Sequence, residues 1–203
     1  MQITIVGGSK GTGAQLAALA IEAGHVVTVV TRSGTVPEGA DRVLGSASDP
    51  AVARLAVTGA EAVVVTVGGA KGVAHNRAAV TRAVIEQMKQ VGVRRLLVQS
   101  ALGAGESAQQ MPLALRLPMK LVLAKPLADH EEQEAAVMAS GLDWTIVRPS
   151  GLTDKRAAGS WQALETSEPG TLRGTIPRAD LAACMLEVLE DDAPIGSALG
   201  VSS

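Results

Sequence analysis

The stretch from Gln2 to Arg32, QITIVGGSKGTGAQLAALAIEAGHVVTVVTR, restricts what this chain can fold into more than any other. A β-branched run stops at glycine, which predicts a strand over Gln2–Val6. From Gly13 to Gly24, Leu16, Leu19, Ala20 and Ala23 recur on one helical face, and Gly24 ends the pattern. A second apolar strand, His25–Arg32, follows at once. A strand, a glycine-rich loop, a helix and a second strand within so few residues describe a crossover onto a parallel sheet.

The rest of the chain repeats the alternation. Strands are predicted at DRVLG from Asp41, at Glu61–Gly69, at Arg94–Ser100 and at Asp143–Pro149. Helices are predicted after a cap at Ser48 or Asp49 with Pro50 in the first turn, then over His75–Gly92, Asp129–Gly141 and Arg178–Asp191. Several strands are nearly continuous apolar runs, the mark of strands covered on both faces. The expected fold is α/β: a single Rossmann-like doubly wound parallel sheet with helices on both faces, spanning 1–203 as one domain. Between Ala101 and Pro126, Pro112, Pro118 and Pro126 interrupt helical periodicity, so a flap of loop and broken helical turns is expected over about 101–126. Its Met111, Leu113, Leu115, Leu117 and Met119 are expected to border the acceptor side of the site.

In GGSKGTG, Gly7 allows a tight turn, Gly11 and Gly13 let backbone approach a ligand, and the helix N-terminus offers N–H groups and a positive dipole to phosphate. Sheets of this kind often end their second strand with an acid that holds ribose hydroxyls. Here Arg32 stands in that place, and Lys10 adds a second cation in the neighbouring loop. An arginine clasps a 2′-phosphate where an acid would repel it, so the two residues favour NADP(H) over NAD(H).

Composition removes other classes. A formal charge of −2, with no run of Lys or Arg, gives no electrostatic case for nucleic acid or an acidic membrane. One cysteine, Cys184, rules out a disulfide within the chain. It lies on the apolar face of the last helix and reads as core. With His25, His75 and His130 far apart in sequence, no metal site is expected. The opening MQITIVGG has neither a basic n-region nor a cleavable apolar segment, and no apolar run is long enough to span a bilayer, so a cytoplasmic protein is expected. Tyr and Phe are absent and Trp144 and Trp161 are the two aromatic residues. Trp161 is expected in a loop over the pocket, packing or stacking on substrate.

Nearly the whole chain resembles the atypical branch of the short-chain dehydrogenase/reductase superfamily. The resemblance is carried by GGSKGTG, VTVGGAKG, GVRRLLVQSA, SGLDWTIVRPSGLTD and IPRADLAACMLEVLED. Within that branch it is similar to biliverdin-IXβ reductase/flavin reductase and to NmrA-like proteins. The resemblance implies that Gly7, Ser9, Lys10, Gly11, Thr12 and Gly13 hold phosphates and that Arg32 and Ser33 hold the 2′-phosphate. It places Ser46 and Ala47 by the adenine and Val67, Gly68 and Gly69 along the cofactor. Ser100, Ala101, Pro149 and Ser150 fall at the nicotinamide end. The branch usually has glycine where Lys10 stands, and the superfamily's Tyr-x-x-x-Lys pair is impossible in a chain without tyrosine.

Hydride transfer to a simple carbonyl needs a proton donor. A flavin, quinone or tetrapyrrole-like acceptor spreads its charge and needs no dedicated acid. Ser100 and His130 are the candidate catalytic groups, against a strand-end cap for Ser100 and a polar first-turn residue for His130. Lys125 reads as solvated. Two functions follow: an NADPH-dependent oxidoreductase acting on a planar conjugated small molecule, or a non-catalytic NADP(H)-binding redox sensor of the NmrA-like type. Either is expected as a monomer or homodimer.

Overall fold

The computed structural model describes residues 1–70, 73 and 75–203. Lys71 and Gly72, the end of the VTVGGAKG stretch, lie outside the described residues. The strands are β1 (Gln2–Val6), β2 (Val26–Thr31), β3 (Asp41–Leu44), β4 (Ala62–Val65), β5 (Arg95–Gln99), β6 (Asp143–Pro149), β7 (Gly151–Thr153), β8 (Gln162–Glu165), β9 (Thr175–Pro177) and β10 (Ala198–Ser202). The helices are α1 (Gly11–Glu22), α2 (Pro50–Val57), α3 (Asn76–Val91), α4 (Leu113–Val122), α5 (Ala124–Met138) and α6 (Arg178–Glu190).

Eight strands form one sheet in the order β3-β2-β1-β4-β5-β6-β10-β8. All neighbours are parallel except β8, which pairs antiparallel with β10 at the edge. The doubly wound α/β expectation therefore holds, with an antiparallel edge added. The alternating strand faces show why the apolar runs are continuous. Ile3, Ile5, Val64, Leu97 and Val147 pack under α1 and α6. Val6, Val63, Val65, Leu96, Val98 and Ile146 pack under α2, α3 and α5. The central strands β1, β4, β5 and β6 are covered on both sides, so both of their faces are largely apolar, whereas the edge strands β3 and β8 are more exposed. Cys184 is part of the first of these layers, and burial pushes its thiol up to about 12.

The predicted helix ends need small corrections. α1 starts at Gly11 rather than Gly13, with Lys10 as its cap residue. Asp49, not Ser48, caps α2 by accepting the Ala51 N–H at 2.9 Å. β4 stops at Val65, so Val67 to Gly69 form a loop and not a strand end.

The larger corrections lie after β5. The 101–126 region is a 3₁₀ turn over Gly105–Gln110, then α4, then the first turn of α5. Pro118 sits inside α4 rather than breaking it, and Pro126 is tolerated in the first turn of α5. α5 begins at Ala124, five residues before the predicted Asp129. His130 is consequently more than a turn inside the helix and buried, not a first-turn surface residue. Trp161 precedes the unpredicted edge strand β8 and packs against the core under α1 and α6. No helix of the described residues is long and apolar enough to cross a membrane.

Candidate functional site

β1 and β4 are neighbours at the centre of the sheet, and the strand order runs outwards from them in both directions. Parallel sheets open a crevice beyond the C-terminal ends of the strands at such a reversal. Here that crevice is a cleft of about 480 Å³.

Its floor is the glycine loop. Gly7 has φ 98° and Gly11 has φ 61°, conformations that favour glycine over any residue with a Cβ. Gly13 is required by a different contact. A Cβ there would meet the Gly7 carbonyl oxygen at 2.6 Å and the Thr66 hydroxyl closer still. Gly13 thus lets the loop, the first turn of α1 and the end of β4 close on one another, and it lies beneath the cleft rather than in its wall. The first turn of α1 carries no acidic residue of its own to offset the positive end of its dipole. Thr12 Oγ1 is buried there without a hydrogen-bond partner among the described residues, although Thr12 lines the cleft. Gln99 Oε1, also of a cleft-lining residue, is likewise unpartnered. Buried polar atoms without partners are rare in folded proteins. A pyrophosphate, with its many acceptor oxygens, fits the loop N–H groups and the Thr12 hydroxyl.

The other residues expected to bind cofactor divide into two groups. Gly7, Ser9, Lys10, Gly11, Thr12, Arg32, Ser46, Ala47, Val67 and Gly68 line the cleft together. Arg32 and Lys10 are exposed at its mouth, and neither is ion-paired among the described residues. Ser33, Gly69, Ser100, Ala101, Pro149 and Ser150 stand outside this lining. The Ser33 hydroxyl is 3.1 Å from Thr31 Oγ1. Gly69 lies against the Arg77 guanidinium.

Sequence reasoning passed over Asn76, Gln99, Leu152, Asp154 and Arg178, all cleft-lining. Asn76 was legible as the start of a helix, but its Nδ2–H bond to the Gly68 carbonyl, 3.0 Å long, depends on how α3 meets the loop after β4. Leu152, Asp154 and Arg178 arrive through β7 and β9, which pair with each other outside the main sheet. Strands of three residues leave little periodicity to read.

The two catalytic candidates meet each other. Ser100 Oγ is 3.4 Å from His130 Nδ1, which is 3.3 Å from Gln133 Oε1, and Gln133 Nε2 donates to Thr81 Oγ1 at 2.9 Å. All four residues are buried. Burial first, and the nearby Arg77 guanidinium second, lower the His130 pKa to about 4. It is therefore neutral near pH 7. The neighbouring Asp129 accepts the N–H groups of Arg77 and Ala78 at 3.2 and 3.1 Å and pairs with Arg77 Nη1 at 3.0 Å. It thereby caps α3 from another helix. Burial works against this carboxylate, but the two N–H groups and the guanidinium outweigh it and hold its pKa below the ordinary range. Lys125 is exposed. Among the described residues no group of three His, Cys, Asp or Glu side chains could hold a metal ion.

A central reversal in a parallel sheet, a glycine loop opening a helix, and a cleft above both define a dinucleotide-binding Rossmann protein. The sequence places it further: a family profile described as NAD(P)H-binding matches residues 7–192, and the chain belongs to that family. A UPF0659 protein of Schizosaccharomyces pombe is 31% identical, the match covering 78% of this chain and 74% of that one. Among solved structures, the anaerobilin reductase ChuY of Escherichia coli O157:H7 superposes with a TM-score of 0.83 at 24% identity, covering 99% of this chain and 96% of that one. A short-chain dehydrogenase/reductase of Veillonella parvula, solved in complex with NADP, also gives 0.83 at 20% identity, covering 100% and 94%. At such identities the superpositions speak to the fold alone, the Rossmann-like α/β fold described above.

Proposed function

We propose that this protein is an NADPH-dependent reductase that passes hydride to a planar conjugated acceptor such as a flavin, a quinone or a tetrapyrrole-like molecule. The observation that carries the reading is a cleft rimmed by Arg32 and Lys10, neither ion-paired among the described residues, in a chain that has no tyrosine. When bound, the dinucleotide supplies hydride from its nicotinamide ring. The N–H groups of Gly7, Ser9, Lys10, Gly11 and Thr12, with the Thr12 hydroxyl, hold the pyrophosphate, and Gly13 lets the loop close beneath it. Arg32, with Lys10 and Ser33, holds the 2′-phosphate. Ser46 and Ala47 flank the adenine, and Val67 to Gly69 follow the middle of the dinucleotide. Ser100, Ala101, Pro149 and Ser150 edge the nicotinamide end.

His130 does not act as an imidazolium acid in this reading, because it is neutral and buried near pH 7. It positions the Ser100 hydroxyl. An acceptor that delocalises charge needs hydride held at the right distance and angle, not a strong acid beside it. The likeness to an anaerobilin reductase supports a reductase over a binding protein. One domain, 1–203, carries both cofactor and acceptor, with the 101–126 segment beside the acceptor.

The test is NADPH oxidation followed across a panel of flavins, quinones and linear tetrapyrroles. The reading expects at least one acceptor to be reduced well above the uncatalysed rate, and NADPH to be preferred to NADH. Binding of both NADPH and NADP⁺ with turnover of no acceptor would contradict it and favour a redox sensor.

A further inference from the structure

We infer that Arg178 is a phosphate-binding arm of the cleft, held in reserve by Asp154. The inference rests on the dinucleotide reading above and deepens it. Arg178 is the first residue of α6, and its side chain reaches across to the glycine loop. A Cβ built on Gly11 would lie 3.7 Å from Arg178 Nε and 3.8 Å from its Cδ. The guanidinium stem therefore lies over the loop residue that opens α1, and Arg178 and Thr12 line the same cleft.

The partner of Arg178 is weakly committed. Nη1 donates to Asp154 Oδ1 at 2.7 Å, but the Asp154 side chain is 84% exposed and that of Arg178 is 26% exposed. An ion pair with one member largely in water is held loosely. Nor does the strap that carries Asp154 depend on this pair. Buried Asp180 anchors it by accepting the N–H groups of Ala158 at 2.8 Å and Gly159 at 3.0 Å. Asp154 and Arg178 both line the cleft. An anion bound on the glycine loop competes with Asp154 for the guanidinium, whose parallel donors suit a phosphate at least as well as a carboxylate. The Asp154 carboxylate repels the same anion. Arg178 thus exchanges carboxylate for phosphate when the dinucleotide enters, and Asp154 sets how tightly it is held.

This arrangement gives the two variants opposite signs. Arg178→Ala removes a ligand to the pyrophosphate and weakens NADPH and NADH equally, by about tenfold. Asp154→Asn releases the arm and removes a repelling charge, and tightens both by about two- to fivefold. A merely structural ion pair would make both variants weaker. Isothermal titration of both nucleotides into wild type, Arg178→Ala and Asp154→Asn, with melting temperatures recorded alongside, separates the cases. If Arg178→Ala does not fold, the sign for Asp154→Asn alone decides. Unchanged affinity in a folded Arg178→Ala protein, or weaker binding by Asp154→Asn, overturns this inference and leaves the dinucleotide reading standing. Wild-type protein that binds neither nucleotide overturns both.

Discussion

Two segments leave the C-terminal ends of parallel strands of the same sheet and are held by different means. The glycine loop after β1 is kept in shape by its own backbone: positive φ at Gly7 and Gly11, and the absence of a side chain at Gly13. The segment from Ala101 to Val122, after β5, has local hydrogen bonds of its own but is also tied to residues far along the chain. Gln110 Nε2 donates to the Glu165 carbonyl at 2.8 Å. Gly105 rests against Glu134 and Arg148, whose buried carboxylate and guanidinium pair at 2.8 and 2.9 Å. Beyond that anchor, α4 has no buried residue, and Leu113, Leu117 and Leu121 are exposed along it. A site floor fixed locally and a flank fixed by distant contacts respond differently to mutation.

The largest expected effect breaks the distant anchor. Glu134→Ala leaves the Arg148 guanidinium buried, with Thr166 Oγ1 as its remaining side-chain acceptor. Removing one member of a buried pair costs about 3–5 kcal/mol. Equilibrium denaturant unfolding checks it, and a loss below ~1 kcal/mol would show that the segment after β5 does not rely on this pair.

Gly13→Val attacks the floor instead. The added methyl groups collide with Gly7 and Thr66, so the loop N–H groups no longer converge on one anion. NADPH affinity should fall by about a hundredfold or more, in protein whose circular dichroism still reports the sheet. A variant that binds normally would mean that the loop tolerates opening.

His130, in the helix that follows the flank, gives a pH dependence of stability. Its folded pKa of about 4 lies below the ordinary histidine value. The unfolded chain therefore binds more protons between the two, and the stability present above about pH 6.5 declines as pH falls toward 4, by at most ~3 kcal/mol. His130→Asn should flatten that part of the stability profile. NMR titration of the imidazole near pH 6.5 would contradict the buried, neutral assignment.

The smallest effect concerns motion. α4 rests on solvent-exposed contacts, so its amides should exchange faster than those of β4 and β5 in the ligand-free protein. Protection equal to that of the central strands would show α4 to be as rigid as the core.

The same contrast decides what could be read from sequence. β1 and β6 fall on their predicted bounds, because each apolar run is fixed by its own composition and stops. The helix over 76–91 was legible from its periodicity and from Gly92, which closes it with φ 80°. Ten residues of the cleft lining were legible because they sit in or beside the glycine loop and at the ends of early strands. The region after β5 was not. Pro118 reads as a break, yet the exposed helix around it tolerates a missing N–H because water reaches the backbone there. The position of His130 inside α5 depended on a helix start at Ala124 that carries no capping side chain. Arg178 and Asp154 reach the cleft by the β7–β9 pairing, which no local pattern announces.

The central claim is that this cleft binds a dinucleotide phosphate and reads its 2′-phosphate with Arg32. Titration of NADPH and NADH, at one ionic strength, into wild type and Arg32→Asp tests it most directly. A charged hydrogen bond contributes ~1.5–3 kcal/mol, so wild type should prefer NADPH by about ten- to a hundredfold, and the substitution should abolish or invert that preference while NADH binding persists. Equal affinities in wild type, or a ratio that Arg32→Asp leaves unchanged, would contradict the account.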